Sequence, residues 1–165
     1  MVRNPTPKGA QHSRFLRQAM SYISLHTHIV FATKNRAPFI EKAWRGRLYE
    51  YLGGTANSLN AFSQGVGGVE DHVHLLIGFK ATHCLSDFTR ELKKASSAWV
   101  HDEIGMKEFA WQEGYSAFSV SPPARPAVQR YIRNQETHHR ETSHKEELTE
   151  MLVKAGVDFD PKYLD

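Results

Sequence analysis

The run His72-Val73-His74-Leu75-Leu76-Ile77-Gly78-Phe79-Lys80 decides how the chain folds. Its apolar, β-branched and aromatic residues read as a strand, and Ala61 to Val69 just before it reads as a second one. Only Glu70-Asp71 separates the two, which predicts an antiparallel hairpin. Side chains alternate between the two faces of a strand, so His72 and His74 project together while Val73 points the other way, towards a core. Two imidazoles on one face can share a metal ion.

Upstream, Tyr22 to Thr33 is rich in β-branched and aromatic residues and ends at the turn-prone Lys34-Asn35-Arg36-Ala37-Pro38, which marks another strand. Glu41 to Asn57 carries Trp44, Leu48, Tyr51 and Leu52 at helical spacing. Downstream, Phe88, Leu92, Ala95, Trp99 and Val100 recur every three or four residues from Ser86 to Ile104. Ser86 is the expected N-cap of that helix and Gly105 its stop. Phe109 to Val120 reads as a strand region broken at Glu113-Gly114 and closed by Pro122-Pro123. Arg125 to Arg140 is expected to be one helix, with Pro126 in its first turn. A last helix runs from Ser143 to Ala155, with Ser143 and Glu146 spaced as a capping box and Gly156 at its end.

The order is strand, helix, strand, strand, helix, strand, then two helices. It predicts an α+β fold: a split βαβ, ferredoxin- or RRM-like antiparallel sheet with helices on one face, followed by a C-terminal helix. At 165 residues the chain fits one domain, expected over 20–165 and preceded by a loosely ordered arm over 1–19.

Hydrophobic residues make up 40% and charged ones 24%, as in soluble globular proteins, and no apolar run approaches membrane-spanning length. The net charge of +3 permits a nucleic-acid partner without requiring one. The single cysteine, Cys84, excludes an internal disulfide, and residues 1–19 lack the apolar core of a signal peptide, so a cytoplasmic address is expected.

Ten histidines in 165 residues give roughly one His-x-His by composition alone, and His26 and His28 repeat the spacing in the first strand. The flanking chemistry favours His72 and His74: Glu70 and Asp71 precede them, where a carboxylate can ligate a metal or orient a ligand. Imidazole, amide and carboxylate oxygen suit Mg²⁺ or Mn²⁺ better than a thiolate site would. No His-Glu-x-x-His helix, cysteine pair of zinc spacing or Gly-rich phosphate loop occurs, which removes metalloprotease, zinc-finger and nucleotide-hydrolase readings.

Tyr131 and Gln135 lie four positions apart, which on a helix sets a phenol beside an amide. By itself such a tyrosine is most often a packing residue. Beside a metal pair, the two complete a kit for cutting a phosphodiester through a tyrosine nucleophile.

These residues resemble the small single-tyrosine HUH transposases, the insertion-sequence-200-like and REP-associated tyrosine transposases. The likeness runs from about Tyr22 to Leu164. It includes His28-Ile29-Val30-Phe31 with Thr33-Lys34-Asn35-Arg36, and Asp71-His72-Val73-His74-Leu75-Leu76-Ile77. Further along it takes in Trp111-Gln112-Glu113-Gly114-Tyr115, Tyr131-Ile132-Arg133-Asn134-Gln135, Gly156-Val157-Asp158-Phe159-Asp160 and Tyr163-Leu164.

The resemblance implies that His72, His74 and Gln135 hold the metal and that Tyr131 is the nucleophile. It further implies single-stranded DNA, with hairpin ends, as substrate, and a homodimer whose tyrosine helix can complete the partner's site. Lys34, Arg36, Arg90, Lys93, Lys94, Arg130 and Arg133 are candidates for phosphate contacts, each of which reads equally well as a solvated surface charge. The likeness departs at Val69, where some members place an aspartate three residues before the first histidine; Glu70 or Asp71 is the candidate substitute.

Two other readings compete. A non-catalytic single-stranded nucleic-acid-binding module would share the RRM-like sheet, but the aromatic RNP strand is missing. A replication initiator or relaxase would share the HUH chemistry, but such proteins are usually joined to further domains.

Overall fold

The computed structural model describes residues 22–139 and 143–164; the expected arm over 1–19 lies outside the described residues. Strand β1 (Leu25–Ala32) leads through a short turn into helix α1 (Lys42–Ser58), then the hairpin of β2 (Phe62–Gly68) and β3 (His72–Phe79). Helix α2 (Leu85–Trp99) continues as a wider turn over Val100–Ile104 to Gly105, whose φ of 82° ends it. Strand β4 (Ser116–Ser119) and helices α3 (Arg125–Arg133), α4 (Gln135–His138) and α5 (His144–Ala155) follow.

The four strands lie in the order β2-β3-β1-β4, every neighbouring pair antiparallel. That is the split βαβ arrangement: β3 lies between the parallel β1 and β2, and β1 between the parallel β3 and β4. Right-handed crossovers put α1 and α2 on the same face. Ile29 and Phe31 of β1 and Val73, Leu75 and Ile77 of β3 meet Trp44, Leu48 and Leu52 of α1 and Phe88 and Leu92 of α2 there, all buried.

The alternate residues, His28 and Val30 on β1 and His72, His74 and Leu76 on β3, face the other way. Helix α3 covers part of that second face, with Ile132 packed on Leu76 and Val120. Its approach is close because Gly67 on β2 has no side chain: a Cβ there would lie 2.2 Å from the Ile132 carbonyl oxygen.

Three sequence expectations need correction. Helix α2 is capped by Cys84 rather than Ser86, whose hydroxyl instead contacts the Cys84 sulfur. Between Phe109 and Val120 only Ser116–Ser119 forms a strand, plus one isolated bridge between Thr33 and Trp111, because the intervening Gln112–Tyr115 turn is folded around a lysine. The helix expected over 125–140 breaks at Asn134 (φ −100°, ψ 16°), whose N–H is shared between the carbonyls of Arg130 and Tyr131. The capping box of Ser143 and Glu146 and the left-handed Gly156 stop of α5 are present as read from sequence.

Gly67→Ala is expected to lift α3 from β2 at a cost of about 1–3 kcal/mol. Amide exchange should quicken across Arg125–Arg133 while α1 stays protected; unchanged protection of α3 would refute the close seat.

Candidate metal centre

Register places the two strand histidines at the centre of the sheet: His74 is opposite Val30 of β1 and Gly67 of β2, and His72 is opposite Ala32. Both are fully buried, at 0% exposure. Burial without water would normally leave an imidazole needing partners for both nitrogens. Here each ring has one. His72 Nδ1 donates to Asp71 Oδ1 at 2.7 Å, and His74 Nδ1 bonds His28 Nε2 at 3.0 Å.

The Asp71 bond sets the His72 tautomer, because a carboxylate only accepts: the proton sits on Nδ1 and Nε2 carries the lone pair. His28 can donate or accept, and His74 turns a lone pair on Nε2 inward in the tautomer that donates from Nδ1. Both Nε2 atoms are buried with no hydrogen bond. Asp71 is held in turn by Arg36, whose Nε lies 3.1 Å from Oδ2 and whose terminal nitrogen makes a closer contact to the same oxygen. Burial raises the Asp71 carboxyl, but the hydrogen bond from His72 and the charge and hydrogen bonds of Arg36 outweigh it, holding the group at about 2. Arg36 reaches Asp71 from a left-handed turn in which Asn35 and Arg36 both have φ of 55°. A non-glycine pair in that region is uncommon and persists where surrounding contacts fix it.

The second half of the centre comes from the helices beyond β4. Gln135, 1% exposed, follows the break at Asn134; its Nε2 donates to Glu147 Oε1 at 3.1 Å, and its Oε1 is buried without a hydrogen bond. The Tyr131 hydroxyl donates to the same Glu147 oxygen, and the Tyr131 ring stands edge-on to His28 and His74 at centroid distances of 6.0 and 5.7 Å. Tyr131 and Gln135 thus meet at one point even though a single unbroken helix does not carry both.

Three groups in this centre were not expected from the sequence. Glu147 of α5, 1% exposed, lies 3.6 Å from His74 Nε2 and 3.7 Å from His72 Nε2. His139 Nε2 is 3.0 Å and His144 Nδ1 3.7 Å from Glu147 Oε2. Burial pushes the Glu147 carboxyl up to about 8, and the His144 imidazole down to about 2. His28 is likewise lowered to about 4 by burial, which keeps the partner of His74 neutral. The spacing of His144 and Glu147, three apart on a helix, is the one sequence signal that points to this set.

His72, His74, His139 and Glu147 each offer a ligand atom, all within 4.8 Å of one another, so this group can hold a metal ion. The carboxylate neighbours of the strand histidines divide the labour: Asp71 orients His72, whereas Glu70 points away to Arg45, 3.5 Å distant.

The basic residues do not gather at this point. Arg36 is committed to Asp71. Arg90, on the exposed side of α2, pairs with Asp87 at 2.7 Å and Glu91 at 3.3 Å. Lys93 donates to the carbonyls of Gln112, Glu113 and Gly114 at 2.9, 3.2 and 2.6 Å, and its ammonium lies over the Phe31 and Tyr115 rings. Burial lowers its ammonium to about 8. It therefore ties α2 to the turn before β4, with its donors taken up by carbonyls. Lys34, Lys94, Arg130 and Arg133 are exposed, Lys94 on α2 and Arg130 and Arg133 on the tyrosine helix.

Residues 21–135 match the family model described as Transposase IS200 like. The chain belongs to the IS200-like transposase family. No curated protein matches it. Among solved structures, this transposase is similar to a candidate transposase from Deinococcus radiodurans R1. The two are 25% identical with a TM-score of 0.57, over 79% of this chain and 98% of the other. A REP-associated tyrosine transposase bound to a REP hairpin shares the fold, at 15% identity and a TM-score of 0.55, over 73% and 72% of the two chains. Among the described residues of the transposase, no helix is long and apolar enough to cross a membrane.

Asp71→Asn exchanges the carboxylate behind His72 for an amide that can present either an acceptor or a donor. Divalent-ion affinity, measured calorimetrically with Mn²⁺, is expected to fall about 10- to 100-fold with little loss of fold. Unaltered affinity would show that His72 needs no such orientation.

Proposed function

We propose that this transposase is metal-dependent and cleaves and rejoins single-stranded DNA through a 5′-phosphotyrosine intermediate on Tyr131. The observation that carries the reading is that His72 Nε2, His74 Nε2 and Gln135 Oε1 are buried polar atoms without a hydrogen bond, on three side chains that all lie against Glu147. Each such atom costs about 1–3 kcal/mol if left unmet, so their gathering at one place beside a phenol favours a cation as the missing partner. The donor set fits Mg²⁺ or Mn²⁺ with room for a substrate oxygen. A bound ion would polarise the scissile phosphate and offset the charge that develops on it.

The chain's own residues supply the rest. Asp71 fixes the His72 tautomer, and with His28 accepting from His74 Nδ1 both rings turn lone pairs rather than protons to the centre. The Tyr131 oxygen attacks phosphorus in line. As the new Tyr–O–P bond forms, the P–O3′ bond breaks, and the proton lost by the phenol is balanced by the one gained at the departing 3′ oxygen. No water is consumed, so the bond energy is kept. A second 3′-hydroxyl reverses the step and joins a new strand without a nucleotide cofactor.

Lys34, Arg130 and Arg133, exposed beside the ends of β1 and α3, are proposed to neutralise backbone phosphates, and Arg90 and Lys94 to do so along α2. The substrate is proposed to present hairpin ends, as in the REP hairpin held by the structural neighbour. We take the acting species to be a homodimer, in which two copies hold two strand ends for exchange, and residues 20–165 to act as one domain.

Incubating the protein with end-labelled single-stranded hairpin DNA and Mn²⁺, then running a denaturing gel, tests the reading. A shifted covalent band is expected, lost on chelation and lost in Tyr131→Phe, while that variant still retards the DNA on a native gel. A band that survives in Tyr131→Phe would remove the nucleophile assignment.

A further inference from the structure

The groups closing on the strand histidines outnumber what that reaction uses. Gln135 serves as the neutral third donor, and His139, His144 and Glu147 are left without a task. Their positions are specific. Glu147 turns Oε1 towards His74 Nε2 at 3.6 Å and Oε2 towards His72 Nε2 at 3.7 Å and His139 Nε2 at 3.0 Å. In a tetrahedral ion site with bonds of about 2.1 Å, neighbouring donor atoms lie about 3.4 Å apart. The four groups therefore already approximate such a cage, and all four of their ligand atoms fall within 4.8 Å of one another.

The chemistry of this set differs from that of the open one. Two imidazoles and an amide oxygen are neutral, leave coordination positions for substrate and suit hard ions. Three imidazoles and a carboxylate fill a tetrahedron, carry one negative charge and suit borderline ions of the Zn²⁺ class. A site with four protein ligands has no position for a phosphate. Glu147 also accepts hydrogen bonds from both the Tyr131 hydroxyl and Gln135 Nε2, so its carboxylate stands between phenol and histidines, where an attacked phosphate would have to lie.

We infer that helix α5 gives this centre a second, closed state, in which His72, His74, His139 and Glu147 bind a Zn²⁺-class ion and shut the site to DNA. The shutting rests on the function proposed above; the binding does not. Tyr131 and Gln135 are held out of coordination in this state by their bonds to the carboxylate. A transposase so built is silent when Zn²⁺ is held and competent when Mg²⁺ or Mn²⁺ engages the open set.

Zn²⁺ and Mn²⁺ titrations of the full-length wild type, Glu147→Gln and His139→Ala by calorimetry test the binding, with Co²⁺ absorption as a report on geometry. Wild-type protein is expected to give the intense visible bands of four-coordinate Co²⁺. Both variants should lose those bands and at least about tenfold in Zn²⁺ affinity, with a much smaller change for Mn²⁺. Glu147→Asp and His139→Asn serve if either first variant lacks the wild-type circular dichroism. On hairpin DNA with Mn²⁺, one equivalent of Zn²⁺ should suppress the adduct of wild type but not that of His139→Ala, each against its own zinc-free reaction. Zn²⁺ affinity and Co²⁺ spectra indifferent to both residues would overturn the closed state, even if the adduct forms. Four-coordinate binding with no adduct under any ion would overturn the proposed function and leave the closed binding set in place.

Discussion

Everything near Tyr131 depends on keeping two buried imidazoles neutral, with their lone pairs aimed inward. A histidine on a strand has no preferred tautomer of its own; the choice is made by whatever meets its other nitrogen. In this chain the two partners are of different kinds. His72 meets a carboxylate whose own position is fixed by Arg36, so the Nδ1 proton is held by a charge-assisted bond. His74 meets another imidazole, His28, buried and held neutral. The second histidine pair in the sequence is therefore split: His28 supports the centre, while His26 lies one step along β1 and bonds Gln64 at 3.0 Å.

The sheet supplies the rigidity this requires. His72 and His74 sit on a strand paired on both sides, and the opposite side of that strand is packed on α1 and α2. The backbone that carries both rings is therefore fixed by that core. The helical half of the centre is anchored differently. Ile132 rests on bare β2 backbone at Gly67. Buried Arg45 of α1 reaches Glu136, next to Gln135, at 2.8 Å and also bonds the Ile40 carbonyl. The break at Asn134 separates these two anchors: Ile132, beside Tyr131, rests on the sheet, and Glu136, beside Gln135, is held by α1.

How legible this was in the sequence follows the range of the interactions. Period-two and period-3.6 patterns placed the strands and helices, since those patterns are local and each face has one core to meet. The cap and stop of α5 were readable because Ser143 with Glu146 at one end, and Gly156 at the other, each act within a local turn. Asn134 gave no warning, because the residues around it are acceptable in a helix and the break is imposed by tertiary contacts on both sides. Charge made Arg36 and Lys93 candidates for phosphate contacts or solvated surface charges; the partners they meet in the fold, Asp71 and the 112–114 carbonyls, are 35 and about 20 residues away. Glu147 was hard to read for the same reason: its three-residue spacing from His144 was the one local signal, and its role depends on where that helix docks.

Charge accounting explains why such a residue matters. An ion held by His72, His74 and Gln135 keeps its full positive charge, because all three donors are neutral; an anionic phosphodiester is then the natural ligand for the open positions. Glu147 offers a competing anion of the same kind, already inside the site and needing no recruitment from solution. Burial raises its proton affinity, so without a cation the carboxylate is easily neutralised, and with one it is drawn into ionised form. Under the proposed function, whether DNA or α5 supplied the anion would be decided by the ion. Hard ions that favour oxygen and keep open positions would tip it towards phosphate, whereas ions that favour imidazole and tetrahedral closure would tip it towards Glu147.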